Sequence, residues 1–500
     1  MLLENNEFDD SLQQLVGPRD WKSPQPQRLY DLVVIGGGTA GLVAAAIAAG
    51  LGAKVALIES KLMGGDCLNY GCVPSKALLA ASHRLRYLRE ASDFGVAAAS
   101  GEVDFPKVMQ RLRKLRADLA HHDSAQRFTD LGVDVFIGRG EFLNDDTVHV
   151  ELSDGALRAL RFKRCMIATG AHPASLPIEG IDSVAPMSNH DLFNLEKLPA
   201  RLAVIGAGPI GVEMAQAFSR FGSQVSIIAL DNQVLPREDS DAAAVVHEAL
   251  LEDGIAMHLG AKIKQFTDRD NSKQIYFEIA GRKVVVEADE ILLAAGRAPN
   301  VDGIGLNKAN VSFDKSGIKV DDGLRTSNSR IFAAGDVIGK YQFTHAADAM
   351  ARIVVRNAFF FGKGKLSELV VPWATYCDPE LAHVGKHVAD DPGLEELRFD
   401  FKNIDRNLLE GETSGFVKVV FEGKSGLVQG ATIVGNRAGE LIGEMTLAIQ
   451  KEMRLSEFSS IIHAYPTTAS VFSRLGDKAS GARLTPRVAK LLKKIISWRR

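Results

Sequence analysis

Residues 29–60 read LYDLVVIGGGTAGLVAAAIAAGLGAKVALIES. The apolar, β-branched run 30–35 suits a strand buried on both faces of a parallel sheet. It runs into Gly36, Gly38 and Gly41 in the spacing GxGxxG, then an alanine-rich helical stretch, then a second apolar run ending on Glu59. In such a turn the first glycine bends the chain and the second lets the backbone approach a pyrophosphate. The third lets helix and strand pack closely, and the helix N-terminus favours the phosphate charge. Glu59, about 20 residues on, places a carboxylate where a ribose hydroxyl would donate to it. Three glycines alone are a weak signal. Strand, glycines, helix and acid in this order make a dinucleotide-binding unit.

The same grammar returns at 201–230, RLAVIGAGPIGVEMAQAFSRFGSQVSIIAL, with Gly206, Gly208 and Gly211. Two such units imply two dinucleotide sites and two cofactors. In the second unit Ala229 and Leu230 stand where a charged discriminator would sit, Asp231 comes slightly late, and Arg237 could swing in. NAD against NADP stays open, with a lean to NADP because no carboxylate at 229 repels a 2′-phosphate.

Outward from these units, a chain of 500 residues exceeds one ordinary core, and about two to four domains are expected. The hydrophobic fraction of 46% and charged fraction of 24% fit a soluble α/β protein, and a net charge of -3 gives no general field for nucleic acid. Four cysteines in this length argue for a reducing compartment rather than a secreted disulfide scaffold. The acidic N-terminus lacks a signal pattern, and no apolar run reaches the roughly 18 residues of a spanning helix. A cytoplasmic location is expected. Residues 1–28 read as a polar N-terminal arm outside the core, with SPQPQR as a linker. PKVMQRLRKLRADLAHH (106–122) reads as a helix with a solvated charged face, and 273–296 alternates like a β-meander closing the second unit. From about Leu366 the texture changes to strands followed by helices, a separate α+β domain.

GGDCLNYGCVPSK (64–76) puts Cys67 and Cys72 five apart in a segment expected to be helical, on roughly one face, where they could close a small disulfide ring. Zinc would need two more sulfur or imidazole ligands nearby, so no metal site is expected. A staple across so short a loop stabilises little. A redox-active pair close to a flavin is the reading. Cys165 and Cys377 occur singly in apolar contexts and read as buried packing.

With GGDCLNYGCVPSK behind the first fingerprint, and with IATG, LLAAGRAPN, IFAAGDV and the second fingerprint in order, the chain resembles the flavoprotein disulfide reductases from about Leu29 to Leu475. That family includes glutathione reductase, dihydrolipoamide dehydrogenase and mercuric reductase. The resemblance implies bound FAD, NADP or NAD, and a homodimer. It also implies two Rossmann-like domains, an FAD-binding domain at 29–180 and 298–365 and an NAD(P)-binding domain at 181–297. An interface domain at 366–478 and a tail at 479–500 complete the division. By resemblance Cys72 is the flavin-proximal thiolate and Cys67 the interchange thiol that meets the acceptor. Lys76 and Glu213 would pair beside the flavin, the lysine charge favouring the reduced ring. Gly65 joins the cofactor-binding positions. Asp336 would bind the ribityl chain, Thr169 and Gly170 would join the domains, and Arg297 would lie near the nicotinamide cleft.

Three features depart from the family. Glutathione and lipoamide enzymes carry a histidine before Pro-Thr and a glutamate five residues later as proton shuttle for the interchange thiol. In IIHAYPTTAS, Tyr465 and Ser470 occupy those positions, and His463 lies two residues early. A phenol with a pKa of about 10 is a poor base at neutral pH, although it can donate a proton. Tyrosine here is similar to mercuric reductase, but the vicinal C-terminal cysteines of that enzyme are missing. Asp66 replaces the usual threonine, and its charge should disfavour a thiolate at Cys67 unless neutralised. The tail LTPRVAKLLKKIISWRR places Val488, Leu491, Leu492, Ile495 and Ile496 on one helical face. Arg487, Lys490, Lys493, Lys494, Arg499 and Arg500 surround it, with Trp498 near the end and Thr485 as cap. Such a helix suits an anionic membrane surface, which adds a peripheral contact to the expected location. The reading is an FAD-dependent NAD(P)H oxidoreductase. It passes electrons through Cys67–Cys72 to a disulfide, a thiol-linked compound or a metal or other electrophile, in the manner of mercuric reductase. The alternative is a membrane-surface NAD(P)H dehydrogenase reducing a quinone or protein carrier directly from flavin.

Overall fold

Tyr30–Ile35 is the central strand of a parallel sheet, with Val55–Glu59 on one side and Leu157–Ile167 on the other. The computed structural model describes residues 6–97, 101–269, 272–482 and 486–499. Leu32, Val33 and Val34 are fully buried, which is why this strand reads as an unbroken apolar run. Val133–Phe142 extends the sheet beyond Val55–Glu59, and Ile331–Ala333 extends it beyond Leu157–Ile167. Thr147–Leu152 pairs antiparallel with both of its neighbours in sequence. The second glycine unit builds a parallel sheet in the order Glu290–Leu293, Arg201–Ile205, Gln224–Ile228, Ala256–His258. Lys262–Arg269, Ser272–Ile279 and Arg282–Ala288 form the expected antiparallel meander, shifted toward the N-terminus, so that 290–293 rejoins the parallel sheet.

Contacts divide the chain into two units, 1–230 with 256–369, and 231–255 with 370–500. In the second, a five-stranded antiparallel sheet runs Trp373–Thr375, Glu380–Gly385, Val428–Gly435, Phe416–Glu422, Leu394–Asp400. Phe401, Ile433, Met445 and Phe472 are among its core residues. The helix Ser240–Glu252, which the sequence division assigns to 181–297, packs on this sheet. Polar pairing holds it there. Lys418, almost fully buried, puts Nζ 2.7 Å from Asp241 and 3.1 Å from Asp239, and His387 Nδ1 lies 2.9 Å from Asp239.

The N-terminal segment departs from the expected arm. Asn6 accepts from the N–H groups of Phe8 and Asp9 and caps a helix, Glu7–Val16, with Leu12 and Val16 fully buried. Asp9 Oδ1 lies 2.5 Å from Arg116 Nη2, both side chains being buried. The helix Phe105–Ala120 therefore does not present only a solvated charged face: Arg116 is paired with Asp9, and Arg113 donates to the Leu195 carbonyl at 3.0 Å. Partners for both guanidinium groups make this burial tolerable.

Candidate active site

At the first fingerprint Gly36 adopts φ +110°, and a Cβ on Gly41 would lie 1.9 Å from the Gly36 carbonyl oxygen. A Cβ on Gly65 would lie 2.7 Å from the Gly38 Cα, so the two glycine segments meet backbone to backbone. The helix Thr39–Gly50 starts at Gly38 without a side-chain cap, and its first N–H groups face an anion site of the kind a pyrophosphate fills. Glu59 braces the turn, its two oxygens accepting from the Gly37 and Lys61 N–H groups at 2.7 Å each. Burial pushes its carboxyl up, and the remaining lone pairs suit a ribose diol. The second fingerprint repeats the design. A Cβ on Gly211 would lie 2.1 Å from the Gly206 oxygen, and no atom lies within 4 Å of a Cβ on Gly208, which opens the uncapped helix Pro209–Phe221. Both cradles fit a dinucleotide.

Between them lie the thiols. Gly65–Asn69 and Cys72–Glu90 are separate helices rather than the single segment expected. The chain turns at Gly71, where a Cβ would meet the Asp66 carbonyl oxygen at 2.8 Å. Cys67 and Cys72 are unbridged and hydrogen-bonded to each other. That bond, with help from Thr344 and the Lys76 ammonium, draws Cys72 down to about 6 against the opposing effect of burial. Thr344 Oγ1 lies 3.5 Å from Cys72 Sγ, and Cys72 opens its helix, where the dipole favours a thiolate. The same bond pushes Cys67 up, reinforced by burial, by the charge on Cys72 and by the negative field of Asp123. The two shifts run in opposite directions, favouring the thiolate at Cys72 and the thiol at Cys67. Lys76 Nζ lies 2.8 and 3.1 Å from the two oxygens of Glu213, which is buried on the helix of the second fingerprint.

Asp66 is neutralised. It pairs with Arg297, and His190 Nε2 lies 3.4 Å away, the His190 ring itself packing against Tyr70 at 4.5 Å between ring centroids with the planes tilted by 40°. Burial alone would raise its carboxyl, but the His190 hydrogen bond and the Arg297 charge outweigh it and hold the group low. Arg297 is mostly buried rather than a surface arginine, donating also to the Ala171 carbonyl at 3.0 Å and standing 3.6 Å from Asp336. Burial pushes Asp336 up to about 6, against the pull of Arg297. Thr169 and Asn300 exchange hydrogen bonds of 2.8 and 2.7 Å, locking the short strands that Gly170 leads into.

In the second unit Tyr465 is 79% exposed and its hydroxyl donates to Asp405 at 3.1 Å, which raises the phenol above its ordinary range. His463 is mostly buried, Nε2 3.1 Å from Glu444. The two side chains thus answer to different carboxylates. Cys165 and Cys377 are fully buried. Thr485 lies outside the described residues. The helix Pro486–Trp498 follows it, with Leu491, Leu492, Ile495, Ile496 and Trp498 exposed. Sequence reasoning missed Thr344, His190, Asp123, Asp405 and Glu444. Each is common in type and distant in sequence from what it touches, save that Asp123 closes the ionisable run HHD at the end of a helix already recognised.

Residues 30–351 match the pyridine nucleotide-disulphide oxidoreductase family, and 371–475 match that family's dimerisation domain. The chain is 34% identical over 446 residues to a mercuric reductase of Bacillus cereus, covering 88% of this chain and 70% of the relative. It is 33% identical over 462 residues to a dihydrolipoyl dehydrogenase of Bacillus subtilis, covering 90% and 97%. Among solved structures it is similar to the Cu(II) complex of RclA, an HOCl-induced flavoprotein disulfide reductase of Escherichia coli. That likeness has a TM-score of 0.81 at 27% identity and covers 90% of this chain and 99% of the other. LpdA of Mycobacterium tuberculosis aligns with a TM-score of 0.83 at 27% identity, with the same coverage.

Proposed function

The chain belongs to the pyridine nucleotide-disulphide oxidoreductase family, and on that premise we propose that its electrons leave through Cys67 and Cys72 to an electrophilic acceptor. The protein is an FAD-dependent NAD(P)H oxidoreductase with a dimerisation domain. The observation that carries the proposal is the unbridged Cys67–Cys72 pair, with Cys72 opening its helix against Thr344 near the Lys76–Glu213 ion pair, a setting that favours its thiolate. FAD, if held by the first cradle, would supply the two-electron chemistry that links NAD(P)H to the Cys67–Cys72 pair. Gly36, Gly38, Gly41, Glu59, Gly65 and Asp336 would hold it, and Gly206, Gly208 and Gly211 would hold the nicotinamide dinucleotide. Lys76 keeps a positive charge at the dithiol, Arg297 bridges Asp66 and Asp336, and Cys67 presents the attacking sulfur.

The acceptor we favour is a metal ion or other electrophile taken directly by sulfur. A thiol that binds a metal ion as thiolate releases its proton and needs no acid, whereas a thiolate leaving from a disulfide must be given a proton to become the thiol product. Tyr465, its phenol raised by Asp405, is unfit as a base at neutral pH, so the glutathione and lipoamide chemistry that uses a histidine shuttle is less suited. Relatives named mercuric reductase and a solved relative in complex with Cu(II) support this class of acceptor. The direct flavin-to-quinone route is not favoured, because it gives the dithiol no task. The dimerisation domain supports a homodimer, and the exposed apolar face of Pro486–Trp498 supports a peripheral contact with anionic lipid. Anaerobic titration of the holoenzyme with NADPH should produce a long-wavelength thiolate absorption that is absent in Cys72→Ser. Acceptor reduction should be lost in Cys67→Ser. Quinone or metal reduction that survives both substitutions would end the proposal.

A further inference from the structure

A disulfide closes only when its two Cβ atoms lie about 3.5–4.5 Å apart, so the chain between Cys67 and Cys72 must keep a tight shape. Asp66 builds much of that shape with its backbone. Its carbonyl oxygen accepts from the Tyr70 N–H at 2.8 Å. A Cβ on Gly71, the residue before Cys72, would lie 2.8 Å from the same oxygen and 3.4 Å from the Cys67 Cα. The turn that leads from one cysteine to the other is folded around the Asp66–Cys67 peptide group.

The side chain of Asp66 is anchored on both oxygens. Oδ2 pairs with Arg297, and Oδ1 lies 3.4 Å from His190 Nε2. Each partner is fixed in turn. Arg297 donates to the Ala171 carbonyl at 3.0 Å and stands 3.6 Å from Asp336. His190 packs its ring against Tyr70, and its neighbour Asn189 donates to the Tyr70 carbonyl at 2.8 Å. Arg297–Pro299 and Ala171–Pro173 pair as antiparallel strands. The chain passes from the first glycine unit to the second through Ala171–Pro173 and returns through Arg297–Pro299. One carboxylate thus ties the dithiol turn to this two-stranded crossing and to the helix Asn189–Leu192.

We propose that Asp66 is the positioning residue of the dithiol, the anchor that keeps Cys67 against Cys72 across the Gly71 turn. The proposal rests on the dithiol reading above and gives Asp66 no contact with the reacting atoms. A neutral threonine, the usual residue at this place, cannot form the ion pair with Arg297. Position and charge predict opposite signs for the removal of Asp66. As a bare negative charge it would disfavour both thiolates, so its loss would move both cysteines down, and the Arg297 charge set free would push the same way. As an anchor it keeps the Cys67 thiol in place to stabilise the Cys72 thiolate, so its loss should move Cys72 up.

The test uses reduced holoenzyme and iodoacetamide, with the initial rate of Cys72 alkylation followed by peptide fragment mass against pH. Asp66→Asn keeps the size of the side chain and should raise the Cys72 midpoint by about one unit. The long-wavelength thiolate absorption should fade at a correspondingly higher pH. Asp66→Thr, a second neutral variant, should shift both readouts the same way. Asp66→Glu restores the charge and should recover part of the shift. A Cys72 midpoint that stays in place or falls in the neutral variants overturns the proposal. So does a shift in Asp66→Glu as large as in Asp66→Asn, which would mark the site as merely intolerant of change. Failure of the dithiol reading itself shows elsewhere, as turnover that persists in Cys67→Ser.

Discussion

Cys72 shows how a single residue can be legible in type and illegible in setting. Its spacing from Cys67 and from Lys76 is visible in the sequence, and the fold brings both into play. Its third partner, Thr344, is 272 residues away at the start of another helix and carries no signal of its own. Three influences, the Cys67 hydrogen bond first, then Thr344 and Lys76, hold Cys72 at about 6 against burial. The sign follows directly. Above that value Cys72 is a thiolate, and as pH falls through it the sulfur takes a proton. Fast alkylation of Cys72 in the reduced enzyme should therefore fade below a pH of about 6. Thr344→Val and Lys76→Met should each move the midpoint up by about half to one unit, since each removes a group that favours the charged form. A midpoint in wild type at the ordinary thiol value, or one unmoved by both substitutions, would contradict this account.

Among elements, the N-terminal helix was the least legible. Five acidic side chains in residues 1–21, Glu4, Glu7, Asp9, Asp10 and Asp20, suggest a solvated arm, and an isolated helix of this length is marginal in water. What fixes it is tertiary. Leu12 and Val16 go into the core, and Asp9 meets the buried Arg116 of another helix. An Asn6 cap followed by apolar residues at positions 8, 12 and 16 was the available signal. The duplicated glycine units were legible because turn, close approach and helix start each demand one residue type. A single helix docked by one ion pair makes no such repeated demand. Arg116 also donates to Asn69, so this pair supports the Cys67 segment. Asp9→Ala should leave a buried guanidinium uncompensated and cost about 3–5 kcal/mol in urea unfolding. It should also quicken Cys67 alkylation. Asp9→Leu combined with Arg116→Met should recover most of the loss, and equal effects from the single and double variants would show that the pair is not what holds the helix.

At the scale of the whole molecule, composition and duplication reached the α/β class and the order of its parts. They did not reach the allegiance of residues 231–255, whose helix joins the C-terminal unit through Asp239, Asp241 and Lys418 rather than the dinucleotide unit that precedes it. The C-terminal helix poses the converse case, a pattern fully legible in the sequence, for which we propose a lipid surface as the partner. Pro486–Trp498 leaves Leu491 58%, Ile496 56% and Trp498 90% exposed, and Lys490, Lys493, Lys494 and Arg499 are exposed around them. Among the described residues no helix is long and apolar enough to cross a membrane. Thirteen residues span about 20 Å at 1.5 Å each, too short for a bilayer core but suited to lying in its surface. Each cation near an anionic surface contributes about 1 kcal/mol, and the apolar face adds burial that a neutral surface would also provide. Charge should therefore decide between surfaces. The full chain should co-sediment with phosphatidylglycerol vesicles, bind phosphatidylcholine vesicles far more weakly, and release in high salt. Leu491→Asp with Ile495→Asp should abolish binding while leaving NAD(P)H oxidation intact. Binding to both vesicle types alike, or to neither, would remove lipid as the partner of this face.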